Sequence, residues 1–115
     1  MVIAVDFDGT CVTNAYPNVG NEIGAAPVLK GLTEAGHKII LWTMRSGADA
    51  YPHDLINALQ WFKMHGIPLY GINKNPDQGW STSPKAYAQI YIDDAALGCP
   101  LKSDPALSDR PFADW

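Results

Sequence analysis

Positive charge is what this 115-residue chain has least of: eight lysines and arginines stand against twelve aspartates and glutamates, a net charge of −4. That balance argues against a nucleic-acid-binding surface, which is normally basic. It leaves room for a phosphorylated substrate, because a bound divalent cation reverses the local field. Long hydrophobic runs are also missing. No stretch approaches the roughly 20 apolar residues of a membrane span, and Asp6 interrupts the apolar N-terminal run, so no signal peptide is expected. Cysteine is scarce, and Cys11 and Cys99 have no metal-ligand spacing; a reduced pair in a cytoplasmic protein is favoured over a disulfide. Internal repeats and low-complexity segments are absent. The expectation is one domain spanning residues 1–115, with neither nucleic acid nor membrane as partner.

What is present begins at once. Met1 to Val5 is a short apolar run, suited to a strand buried on both faces, and it leads into Asp6-Phe7-Asp8-Gly9-Thr10. If the strand continues through Phe7, Asp6 and Asp8 leave its end on one side. Like charges that close need a cation, a shared proton or strong donors. Residues 11–22 are rich in turn formers. Residues 25–35 read as a helix, with Val28, Leu29 and Leu32 on one stripe and Gly36 behind it. A second strand is expected over 37–42, ending in Thr43-Met44-Arg45, and a second helix over 51–65. Residues 67–72 read as a short third strand. A polar loop over 73–83 follows, then a short helix from Ser83-Pro84 to Ala88 and a fourth strand over 89–92 that ends in Asp93-Asp94. Residues 95–115 show no periodicity and read as an irregular tail, in which Phe112 and Trp115 could pack on the core or on another subunit of a homo-oligomer.

Strands alternating with helices indicate an α/β domain with a mostly parallel sheet. Right-handed crossovers bring the strand ends to one edge, and with them Asp6/Asp8, Thr43 and Asp93/Asp94. Carboxylates there are hard oxygen ligands of the kind Mg²⁺ prefers. Thr43 offers a hydroxyl and a backbone N–H, Lys85 a fixed positive charge, and Arg45 and Gly9 are further candidates for contact with phosphate.

These motifs resemble those of the haloacid dehalogenase superfamily. Asp6-Phe7-Asp8-Gly9-Thr10 is similar to its first motif, Ile39-Ile40-Leu41-Trp42-Thr43 to its second, Lys85 to the third-motif lysine and Tyr91-Ile92-Asp93-Asp94 to the fourth. The likeness spans about residues 1–94. It implies a three-layer α/β/α Rossmann-like domain without a separate cap, as in small bacterial and phage members. It also implies a Mg²⁺-dependent phosphatase with Asp6 as nucleophile and Asp8 as general acid/base. The metal would be held by the Asp6 side chain, the Asp8 carbonyl and Asp93, with Asp94 close by. Lys85 lies only eight residues before Asp93, a shorter gap than many members have, so Lys74 is a rival for its role. The substrate would be a phosphorylated small or larger molecule. Two other readings stand beside this one: a catalytically idle domain of the same fold kept for assembly, and a receiver-like phosphoacceptor module. The second is disfavoured because its phosphoacceptor belongs on a middle strand and the Asp-x-Asp here comes first.

Overall fold

A computed structural model describes residues 1–115. Its centre is a four-stranded parallel sheet of β1 (Val2–Val5), β2 (Lys38–Leu41), β3 (Gly71–Ile72) and β4 (Ile90–Ile92), in the order β3-β2-β1-β4. Helices α1 (Ala25–Glu34) and α2 (Asp54–Met64) form the β1–β2 and β2–β3 crossovers. Both pack on one face of the sheet. Ala25, Ala26 and Leu29 of α1 and Ala58, Trp61 and Phe62 of α2 meet Ile3, Val5, Ile39 and Leu41 there. Val28, expected on the buried stripe of α1, is instead on its solvent side.

The opposite face departs from the expected three-layer sandwich. Ala4 and Ile40 are covered by Ala86 and Ala88, within an irregular strap over residues 73–89 that contains no helix. The expected helix from Ser83 to Ala88 is absent because side chains take its backbone groups. Gln78 accepts from the Tyr87 N–H and donates to the Lys85 carbonyl, while the Tyr91 hydroxyl donates to the Ala86 carbonyl and accepts from the Ala88 N–H. Such local bonding offers the chain an alternative to helix.

The tail is ordered too, against expectation. Strands β5 (Leu101–Lys102) and β6 (Phe112–Ala113) pair antiparallel, and Phe112 is fully buried. The Ala113 N–H donates to the Gly9 carbonyl at 2.9 Å, and the Trp115 indole N–H donates to the Thr10 carbonyl at 2.6 Å. The tail thus clasps the turn after β1, with Phe112 buried and Trp115 packed on this chain's own core. No helix is long and apolar enough to cross a membrane.

The crossovers determine where a ligand can sit. From β1 the chain winds through β2 to β3 on one side, then jumps back to place β4 on the other. The order therefore reverses between β1 and β4, and the crevice of an open α/β sheet lies outside the carboxyl ends at that reversal. Asp6 follows β1 and Asp93-Asp94 follow β4 at that point.

Candidate functional site

Backbone pairing carries Asp6 one residue past β1, its N–H donating to the Ile92 carbonyl at 2.9 Å. The chain then turns, with the Thr10 and Cys11 N–H groups folding back onto the Phe7 carbonyl. Asp6, Asp93 and Asp94 come together, one carboxylate oxygen of each lying within 4.8 Å of the others. The hydroxyl of Thr10, a fully buried residue, sits among them, 2.9 Å from Asp6 Oδ2 and 3.1 Å from Asp94 Oδ1, and it accepts the Asp94 N–H at 2.9 Å. A hydroxyl has one proton, so it satisfies only one of two ionised carboxylates. Burial, reinforced by the nearby Asp93 charge and opposed by the Thr10 hydrogen bond, pushes the Asp6 carboxyl up to about 7. Three clustered carboxylates with too few hydrogen-bond donors between them could hold a hard metal ion.

Asp8 does not join this cluster. Its Oδ2 accepts from Arg45 Nε at 2.8 Å and its Oδ1 from Arg45 Nη2 at 2.7 Å, a two-pronged pair in which Arg45 is 1% and Asp8 17% exposed. The expectation that Asp6 and Asp8 project together is corrected, because the chain leaves the strand after Asp6. The Asp8 carbonyl accepts no hydrogen bond within the chain.

The expected phosphate role of Arg45 is corrected as well. Its remaining donors go to the Pro17, Asn18 and Asp54 carbonyls at 2.8–3.1 Å, so all five N–H groups are used. The guanidinium ties the end of β1, the loop after Thr13 and the start of α2 into one unit. Around it, Asp54 accepts from the Tyr16 hydroxyl and the Gly47 N–H. Burial opposes ionisation of Asp54, but these bonds, the Leu55 N–H and the Arg45 charge together hold it below the usual carboxylate range.

The other expected contacts sort by what they already bind. The Thr43 N–H is not free, since it donates to Asn73 Oδ1 at 2.8 Å; its hydroxyl, which accepts the Arg45 N–H, keeps its proton to donate. The Gly9 N–H is likewise used, donating to the Val12 carbonyl at 2.8 Å. Gly9 matters for its shape. At φ +82° it is in the left-handed region, and a Cβ there would fall on the Asp94 carboxylate and within 2.5 Å of the Asn14 amide. Lys85 is exposed, its Nζ 5.2 Å from the centre of the Tyr91 ring, and it lines a separate cleft with Trp80 and Tyr87. Lys74 lines another. Neither lysine pairs with a carboxylate. With no helix before β4, nothing projects Lys85 toward the strand ends.

Asp6, Asp93, Thr43, Asn73, Trp42 and Met44 line an open cleft of about 380 Å³. Sequence reasoning missed Thr10 and Asn73. In the sequence Thr10 stands out only as the last residue of the Asp6–Thr10 motif. Asn73 carried a signal, being an Asn just past a strand, the residue type that tolerates the φ of +54° found there.

No family model and no curated protein matches the chain. Among solved structures it is similar to a conserved protein from Bacteroides thetaiotaomicron, at 40% identity over 85% of this chain and 78% of that one, with a TM-score of 0.74.

Proposed function

The chain belongs to the same family as the conserved Bacteroides thetaiotaomicron protein, and from the chemistry of its own site we propose that it is a cation-dependent phosphate monoester hydrolase of the haloacid dehalogenase type. The reading is carried by the acidic cleft. Two of the three clustered carboxylates, Asp6 and Asp93, line the cleft together with Thr43, and no lysine or arginine does. A phosphate dianion cannot approach such a site unaided. Asp6, Asp93, Asp94 and the Asp8 carbonyl would hold Mg²⁺. When bound, Mg²⁺ supplies the charge that admits the phosphate and keeps Asp6 ionised.

Asp6 then attacks phosphorus. An aspartyl–phosphorus bond forms as the ester oxygen–phosphorus bond breaks, and the leaving oxygen takes a proton from Asp8. Water next attacks the aspartyl phosphate, giving its proton to Asp8 and releasing orthophosphate and free Asp6. Asp8 does not line the cleft and both its oxygens accept from Arg45, so in this scheme it has to take up its proton against that pairing and turn toward the leaving oxygen. Thr43 donates its hydroxyl to an equatorial oxygen, and Thr10 holds Asp6 and Asp94 at their separation.

The test is steady turnover of p-nitrophenyl phosphate with Mg²⁺, lost on adding EDTA and lost in a folded Asp6→Asn variant. Full activity in Asp6→Asn ends the proposal. A second reading, a phosphate- and cation-binding module without turnover, is favoured by two observations. Both Asp8 oxygens are engaged by Arg45, and neither candidate lysine pairs with the acidic cluster. Mg²⁺-dependent phosphate binding without hydrolysis of any monoester would select it.

A further inference from the structure

The cleft beside Asp6 has one wall that the reaction scheme leaves unused. The Trp42 N–H donates to the Val5 carbonyl at 2.8 Å, extending β2 one residue beyond the Val5–Leu41 pair and setting Trp42 opposite Asp6. Neighbours in register on a sheet point to the same face, with their strands about 4.8 Å apart. The Trp42 side chain is partly buried against the Ala4, Ile40, Ala86 and Ala88 cluster, so its ring is held in place. Met44, two residues on, is 94% exposed, a long apolar side chain at the cleft mouth with little packed against it. The rest of the lining is acidic or neutral-polar.

We propose that this wall is a leaving-group subsite for an uncharged aromatic ring attached directly to the ester oxygen, which makes the preferred substrate an aryl phosphate. The proposal rests on the phosphatase reading of the same cleft. Trp42 lies beside the nucleophile, so a ring must be close to phosphorus to reach it; a ring carried beyond a sugar lies further out. Indole and thioether surfaces suit a flat aromatic group. A second anionic group on the substrate would find acidic neighbours and no cationic side chain in the cleft. The ring could belong to a free phenol or to a tyrosyl side chain, and the chemistry of recognition is shared.

Leaving-group reactivity alters both kcat and KM of phenolic esters in a two-step phosphatase, so the deciding readouts are the response of the KM ratio to Met44→Ala and the binding of unreactive phosphonates. KM for phenyl phosphate should lie below that for glycerol 2-phosphate, and Met44→Ala should narrow the ratio roughly three- to tenfold. With Mg²⁺ present, phenylphosphonate should quench tryptophan fluorescence and bind more tightly than methylphosphonate, and Trp42→Phe should remove most of the quench. A phosphotyrosyl peptide with the lower KM assigns the ring to a polypeptide, and phenyl phosphate with the lower KM assigns it to a free phenol. Equal KM values for phenyl and glycerol phosphates, unaltered by Met44→Ala, would overturn the subsite and leave the phosphatase standing. Selective phenylphosphonate binding without turnover of any ester would preserve the subsite and overturn the phosphatase.

Discussion

Replacing Arg45 by Met separates two roles for the same guanidinium. Met keeps most of the apolar stem and removes the five donors. It would leave the Asp8 carboxylate without its partner and three carbonyls, of Pro17, Asn18 and Asp54, without theirs. The guanidinium also lies 5.0 Å from the centre of the Phe7 ring and 5.2 Å from that of Tyr16, contacts that Met replaces only in part. Removing one partner of a buried ion pair costs about 3–5 kcal/mol. Asp8 is 17% exposed and can recover some hydration, so the lower end, about 3 kcal/mol, is expected. At about 4 °C per kcal/mol for a domain of this size, the melting temperature should fall by roughly 12 °C. Urea unfolding followed by circular dichroism measures the free energy directly. An Arg45→Met, Asp8→Leu double variant should recover much of the loss, because it removes both charges together. A cost below about 1 kcal/mol, with a raised KM for phosphate esters, would refute the reasoning. It would mean that Arg45 contacts substrate and that its loop contacts count for little.

Thr10→Val keeps the shape of a fully buried residue and deletes the hydroxyl shared by Asp6 and Asp94, leaving the Asp94 N–H unpaired; it should cost about 1–3 kcal/mol in denaturant titrations. The Thr10 bond is what opposes the burial of Asp6, so the same variant should move the Asp6 titration upward, read by carboxyl-carbon NMR. The wild-type Asp6 carboxyl is raised from 3.8 to about 7, so the folded chain holds this proton more tightly than the unfolded chain. In metal-free protein the Asp6 contribution to stability is therefore full below pH 4 and is lost as pH rises through 7. Asp54, held low, works in the opposite sense and loses its contribution only on acidification below the ordinary carboxylate range. Melting curves from pH 5 to 8, with and without Mg²⁺, should show cation stabilisation that grows with pH. Stabilisation independent of pH would refute the linkage.

The parts of the fold that were legible in the sequence are those set by short-range pattern. Val2–Val5 and Ile39–Leu41 are apolar runs with clear ends, and Gly36 and Gly66 follow the two helices closely. Parallel winding alone then brings Asp6, Thr43 and Asp93 to one edge. The misreadings share a different cause. The helix expected at Ser83–Ala88 loses its backbone bonds to Gln78 and Tyr91, which lie outside the segment. The tail looked irregular because its order comes from Gly9 and Thr10, about a hundred residues away in sequence.

Asp8 is the instructive case. Its spacing from Asp6 is short-range and easily read, and by strand periodicity it should share the side of Asp6. Its partner is 37 residues away, on a loop whose shape depends on Tyr16, Asp54 and Asn73. Two carboxylates separated by one residue thus enter opposite electrostatic environments: Asp6 is buried among other acids and raised, while Asp8 is clamped by a cation. The proposed roles ask for an ionised Asp6 and a proton-bearing Asp8, so a cation bound beside Asp6 has to reverse this split before the phosphatase scheme can run. In this chain the division is made by Arg45, the residue that would otherwise have been assigned to the phosphate.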